Sequence, residues 1–287
     1  MKEKKAIHRV VEFKGALLKR LLKGLTIVTF TTTALCLLHQ EFPQFNLDVS
    51  AQLPGYMGAA LGLLLVFRNN TAYDKWWEAR KDMGAMVNTT RNFAITINGS
   101  LPHENKEKFT IAKLIIAFVY ATKEHLREGT KMDEVKEYLD KEDYNKVDNS
   151  AHKPNVIANI MLHRIENLYL QKHITDIQQY ILVKHVNLLI DIMGKCERIR
   201  NTPIPMAYGF LLKFFIAIYV VVLPLGLLNE VGWWSIPLVM VLYYIMMSIV
   251  LTAEEIEEPF GKDVNDLPME QISANIKRNI NELVEHH

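Results

Sequence analysis

Charged residues leave four gaps in this chain, at 24–38, 49–67, 214–229 and 231–253, and are dense elsewhere. A membrane-spanning helix needs about 20 mainly apolar residues, within a range of about 17 to 25. The second and fourth gaps meet that length as they stand. The first is flanked by Lys23 and His39, and the third follows Lys213, itself preceded by Phe210, Leu211 and Leu212. A lysine near a helix end carries its ammonium to the headgroups and so lengthens a span. The pattern predicts four spans.

Between the second and third spans the period changes. Glycine and proline are scarce over 68–200, and apolar residues recur three and four apart, as on one face of a helix. Ile111, Leu114, Ile115, Phe118 and Val119 form one stripe; Ile174, Ile177, Ile181, His185, Leu188 and Ile192 form another. Helix breaks are expected near Gly99 to Pro102, near Gly129 and around Asn149 to Pro154. After the fourth span, Pro259 and Gly261 end the helix, and Ile272, Ile276, Ile280 and Leu283 mark a last amphipathic one. No run alternates with a strand's two-residue period for long. The expected fold is an all-α membrane protein, four transmembrane helices with a helical bundle outside the bilayer.

Positive residues near the spans set the orientation. Lys14, Arg20 and Lys23 precede the first span, Arg68, Lys75, Arg80 and Lys81 follow the second, and Lys195, Arg198 and Arg200 precede the third. The 40–50 connection has no Lys or Arg, and the third and fourth spans are joined through Asn229, Glu230 and Val231. Both termini and the middle segment are expected in the cytoplasm, with the inner membrane as the host. The expected organisation is a cytoplasmic helix at 1–23, two spans within 24–67, a cytoplasmic helical domain at 68–200, two spans within 201–253, and a cytoplasmic acidic turn and helix at 254–287.

Composition refines this picture. At 49% hydrophobic and 23% charged, the 287 residues look globular on average, which hides the segregation of charge. The formal net charge of +1 and the lack of a reading motif exclude nucleic acid as a partner. Cys36 and Cys196 are too few and too scattered for a disulfide framework or a zinc site. The charged first twenty residues do not read as a secretory signal, so insertion by the first span is expected.

Candidate chemistry clusters at two places. The second span, "PGYMGAALGLLLVF", concentrates small residues, with Gly58 and Gly62 at the spacing that brings helix backbones together. One reading is tight packing against another span. The other is packing against copies of itself around an axis, so that Ala59, Leu63 and Phe67, four apart on nearly one face, present apolar rings to a pore; such constrictions gate by dewetting. Arg68, Asn69 and Asn70 follow at once, and Tyr73, Trp76 and Trp77 fit an interfacial aromatic belt. The like-charged Asp74 and Glu78, at i and i+4, call for a basic partner or water.

The second place is the acidic turn "AEEIEEPFGKDVNDLP", with Glu254, Glu255, Glu257, Glu258, Asp263 and Asp266. It lacks the Glu-x-x-His pairs of a di-metal bundle. Carboxylates suit calcium, but a loop starting at Asp263 has Pro268 where an EF-hand requires glycine. The ten histidines show no helical zinc spacing, and His163, His173 and His185 read as bundle residues. No phosphate loop, nucleophile elbow or kinase signature occurs, so no catalytic residue is assigned.

Taken in order, "FRNNTAYDKWWEAR" with "VNTTRNF", "CERIRNTPIPMAY" and "EEIEEPFGKDVNDLP" resemble the bestrophin family of ion channels, its bacterial branch most closely. The resemblance covers nearly the whole chain. It implies a homopentamer around one axial pore, with the second span lining a neck and the cytoplasmic helices forming a vestibule that ends in a second constriction. Matched position by position, the neck falls at Ala59, Leu63 and Phe67, its vestibule side at Arg68, Asn69 and Asn70, and the lower aperture at Ile177. The family neck carries three bulky apolar residues, and Ala59 is small. Asp263 and Asp266 match calcium ligands of animal relatives, but Lys262 stands where those carry an acid and Glu258 where they carry asparagine, which implies a degenerate site. No cofactor is expected, calcium included; the partners are further copies of the chain, membrane lipid and the permeant small ions.

The resemblance implies passive conduction of small monovalent ions, chloride first. Members differ in whether anions or cations pass, so a sodium-type cation channel of the same fold is the alternative. More remote are a membrane-anchored scaffold and a metal-dependent membrane enzyme.

Overall fold

The computed structural model describes residues 2–42, 50, 52–102, 104–127 and 132–285, with side chains from residue 19 to 284 among them. The expected break at Gly129 and most of the 40–50 connection lie outside the described residues. Ten α-helices and no strand occur among the described residues: α1 (Lys2–Glu41), α2 (Gln52–Ser100), α3 (Lys106–Leu126), α4 (Asp133–Lys136), α5 (Lys141–Asp148), α6 (Lys153–Leu170), α7 (Asp176–Asn201), α8 (Met206–Val231), α9 (Ser235–Ile256) and α10 (Met269–Glu285). The chain forms two compact units, Met1–Trp76 with Pro203–Asp266 and Trp77–Thr202 with Leu267–His287.

In the first unit α1 packs on α9 and α8, and α8 on α9. Val28, Leu61, Leu65, Leu212, Ile216 and Leu223 meet in its core. The connection between α8 and α9 lies later than the sequence suggests, because Asn229, Glu230 and Val231 still belong to α8 and the chain reverses through the 3₁₀ turn Gly232–Trp234. Gly232 has φ +54°, a left-handed conformation that an L side chain adopts only with strain. Gly24 serves a different need: a Cβ there would run into the Tyr243 ring of α9. Lys213 does not reach for headgroups alone, since its Nζ pairs with Glu254 at 2.6 Å.

Two stretches are apolar and long enough to cross a bilayer, Lys19–Glu41 and the 51-residue Met206–Ile256. As one straight helix the second would extend about 76 Å, more than twice the hydrocarbon thickness, so its reversal at Gly232 makes it two passes' worth of helix. The apolar part of α2 does not meet the same test.

In the second unit α3 is central, packed by α6, α7, α10 and α4. Its predicted stripe is buried throughout, Ile111, Leu114, Ile115, Phe118 and Val119 each exposing 2% or less. Asn105 caps its start by accepting from the Glu107 N–H at 3.0 Å. At the head of α7, Thr175 and Gln178 form a reciprocal capping box.

The α7 stripe needs correction. The buried face of α7 runs Leu182, Val186, Leu189, Ile192, Met193 and Cys196; of the predicted stripe Ile174 and Ile192 are buried and His185 is half-buried, whereas Ile177, Ile181 and Leu188 are exposed. Apolar residues occupy both faces of this helix, so the periodic stripe runs partly along the uncovered one. The unit keeps α7's second apolar face uncovered.

Candidate functional site

On α2 the same geometry produces a sharper division. Leu61, Leu65, Arg68 and Ala72, at helical spacings, are buried in the first unit. Residues at 63 and 67 lie about 200° around from 61 and 65, and Ala59, Leu63 and Phe67 are all exposed, Leu63 at 56% and Phe67 at 54%. A row of apolar side chains is thus held bare by a helix anchored on its opposite side. A Cβ at Gly58 would press on the Tyr219 hydroxyl of α8, while one at Gly55 or Gly62 would meet open space. The small residues therefore do not form one packed seam within the chain.

Asn69 is half-buried and Asn70 exposed, whereas the vestibule side of the neck is expected to take in Arg68 as well. Arg68 departs from that expectation. It is 5% exposed and its Nη2 donates to Glu257 Oε2, the partner lying in the acidic turn. Glu257 Oε1 also accepts the Ile204 N–H at 3.0 Å. Arg68 therefore ties α2 to the end of α9 and to the segment before α8 rather than offering its charge to solvent. Desolvating two charges repays only with close pairing and further hydrogen bonds; the Ile204 N–H supplies one to Glu257, while the buried Arg68 Nη1 has no partner among the described residues. Nearby, burial holds the Lys75 ammonium below the usual lysine range despite the attraction of Glu257 and Glu258.

Trp76 has a partner within the protein. Its Nε1–H donates to the Asn265 carbonyl at 2.9 Å and its ring stacks with Tyr73, which fixes α2 to the acidic turn. The turn closes on itself: Asp266 Oδ2 accepts the Asp263 N–H at 2.6 Å, and Glu255 Oε1 accepts the Asn265 N–H at 3.3 Å. Among the described residues Asp263 and Asp266 gather no third carboxylate or imidazole at metal-ligand spacing.

In the second unit Ile177 stands in the first turn of α7 and is 68% exposed, with Tyr180 at 70% beside it. Glu78 finds the basic partner its pairing with Asp74 calls for, accepting from Arg198. His185 stacks on Phe93 and bonds Thr96 Oγ1 at 3.2 Å, a bundle residue in which burial keeps the ring below the usual imidazole range. Cys196 is fully buried; burial, with Asp82 and Glu197 near, pushes its thiol up to about 12, which makes it inert.

Sequence reasoning missed one cluster. Glu197 Oε1 lies 2.6 Å from His125 Nε2 and 2.8 Å from His152 Nε2. Burial alone would raise the Glu197 carboxyl, but the hydrogen bonds of His152 and His125 hold it below the usual carboxylate range. The three residues come from α3, the cap of α6 and α7, so no spacing motif signals them.

These features define an all-helical membrane protein whose second helix is anchored on one side and bare and apolar on the other. The bacterial/fungal bestrophin family matches residues 1–282, and the chain belongs to that family. A voltage-dependent anion channel-forming protein of Synechocystis is 36% identical over 229 residues, 78% of this chain and 75% of its own length. One of the same description from Nostoc is 36% identical over 246 residues, 84% of this chain and 80% of its own. Among solved structures, a point mutant of a bacterial bestrophin homolog from Klebsiella pneumoniae superposes with a TM-score of 0.88 at 24% identity, covering 92% of this chain and 98% of its own, which shows the shared fold.

Proposed function

We propose that this chain assembles as a homopentamer around one axial pore and lets small monovalent anions pass down their gradient, without catalysing a reaction. The observation that carries the reading is the bare row Ala59, Leu63 and Phe67 on a helix whose opposite face is packed. Facing its own copies, that row forms a neck in which water and ions meet three apolar rings in sequence, a constriction that gates by dewetting. Ala59 makes the outermost ring the widest. The shortfall of α2 as a lipid span fits, because a helix lining a pore and flanked by protein needs less apolar surface than one bathed in lipid.

The membrane passes are 24–38, 49–67, 214–229 and 231–253, with the termini and 68–200 on the cytoplasmic side of the inner membrane. Asn69 and Asn70 line the wetted side of the neck, while Arg68 braces it from behind. Ile177 forms a second, separate apolar constriction, for which its exposure on α7 is the support. Calcium is not required, because the 263–266 turn closes by its own hydrogen bond. Anions come first because the curated relatives are named anion channel-forming proteins.

Assembly is tested by native mass measurement of the purified protein in detergent. Five copies of the 33.1 kDa chain are expected. A monomer would return the chain to the scaffold reading, and another ring size would reject this neck geometry.

A further inference from the structure

We propose that His125, His152 and Glu197 form a binding site for one transition-metal dication of the zinc class, within the second unit and independent of the pore reading. The three ligating atoms lie within 4.8 Å of one another. Two imidazole nitrogens and one carboxylate oxygen are a donor set suited to zinc, with a fourth position left for water. Calcium and magnesium take six or more oxygens and are poorly served by it.

The site is built rather than accidental in its supports. His125 sits in the last turn of α3, and its carbonyl accepts from Arg200 Nη1 at 2.7 Å. His152 is the N-cap of α6, where its Nδ1 accepts the Asn155 N–H at 3.3 Å. Glu197 projects from α7 and is 25% exposed, as is His125, so a solvated ion has access without the site lying open.

The two rings stand 4.5 Å apart between centroids and both direct Nε2 at the same carboxylate oxygen, so a single ion can take all three donors. Bonds of about 2.0–2.1 Å in a tetrahedral site set ligand atoms about 3.3 Å apart, so loading requires each Nε2 to open from Oε1 by about 0.6 Å, a side-chain adjustment. A neutral ring that now carries its proton on Nε2 moves it to Nδ1; for His152 this releases the long bond from Asn155. A ring already protonated loses one proton to water.

The test is isothermal titration of the full-length protein in detergent, stripped with chelator, against ZnCl2, with CoCl2 absorbance as the spectroscopic readout. His286→Ala and His287→Ala are included to remove terminal imidazoles. One metal per chain is expected, with the tetrahedral cobalt bands, undisturbed by excess calcium. Glu197→Gln keeps an acceptor for both rings, and His152→Asn keeps a side-chain oxygen to cap α6, so neither deletes a structural bond outright. Each should weaken binding about tenfold or more. Failure to saturate at one metal per chain, or unchanged affinity when Glu197→Gln and His152→Asn are combined, overturns the proposal.

Discussion

Replacing Leu63 and Phe67 together by alanine is expected to raise both the open probability and the unitary conductance of the purified protein in planar bilayers. Both side chains are more than half exposed in the single chain, so their truncation removes little of its own core. What changes is the proposed neck: two of its three apolar rings would lose most of their bulk, and the free-energy cost of wetting such a constriction falls. Each 1.4 kcal/mol or so removed from the barrier is worth about tenfold in passage rate. Truncating Leu61 and Leu65, the buried residues of the same turns, should instead destabilise the protein by about 2–5 kcal/mol each without opening it. Unchanged conductance in the Leu63 and Phe67 double variant would remove these residues from the pore.

Arg68→Ala is the second large effect, this time on stability. The side chains of Arg68 and Glu257 are 6% and 13% exposed, and removing one partner leaves the other charge buried without its counterion. Such a loss costs about 3–5 kcal/mol. Thermal unfolding in detergent, followed by tryptophan fluorescence, should register it. Arg68→Met combined with Glu257→Leu should recover most of the loss, because apolar replacement of a buried pair is often close to neutral. Recovery stays incomplete by about 1–3 kcal/mol, since the Ile204 N–H then loses its acceptor. A cost for Arg68→Ala no larger than an exposed substitution, about 0.5 kcal/mol, would contradict the bracing role.

The two substitutions separate what adjacent residues do. Phe67 and Arg68 are neighbours in sequence, yet a step of 100° around a helix sends one to the bare face and the other into the packed one. The passage from apolar to charged residues at this point is real, but the charge is turned away from the space that Phe67 faces.

How far the sequence foretold this depends on whether a feature is local. The α3 stripe was legible because that helix is apolar on the faces it buries, so any period-based choice lands in the core. On α7 apolar residues line two faces, and only tertiary contact decides which is covered; of the predicted stripe Ile174 and Ile192 are buried, while Ile177, Ile181 and Leu188 are exposed. Helix ends at Ser100 and Asp148 followed from glycine, proline and asparagine punctuation. The α8 to α9 reversal was misplaced because Glu230 looked like a loop residue, whereas the positive φ at Gly232 sets the turn.

Long-range partners were invisible. Arg68 and Glu257 are 189 residues apart, and His125 and Glu197 are 72 apart. No local period or motif connects such positions, so nothing in the sequence pairs Arg68 with Glu257 or gathers the two histidines on Glu197. The candidate neck was legible as a spacing on α2, but its bareness was not; that required knowing which face Leu61 and Leu65 bury.

Reversal potential under a potassium chloride gradient, recorded from single channels of purified protein in a planar bilayer, tests the central claim most directly. Currents that reverse close to the chloride equilibrium potential are predicted. Reversal at the potassium potential would make the protein a cation channel of the same fold, and the absence of any single-channel current from intact five-copy assemblies would contradict the account.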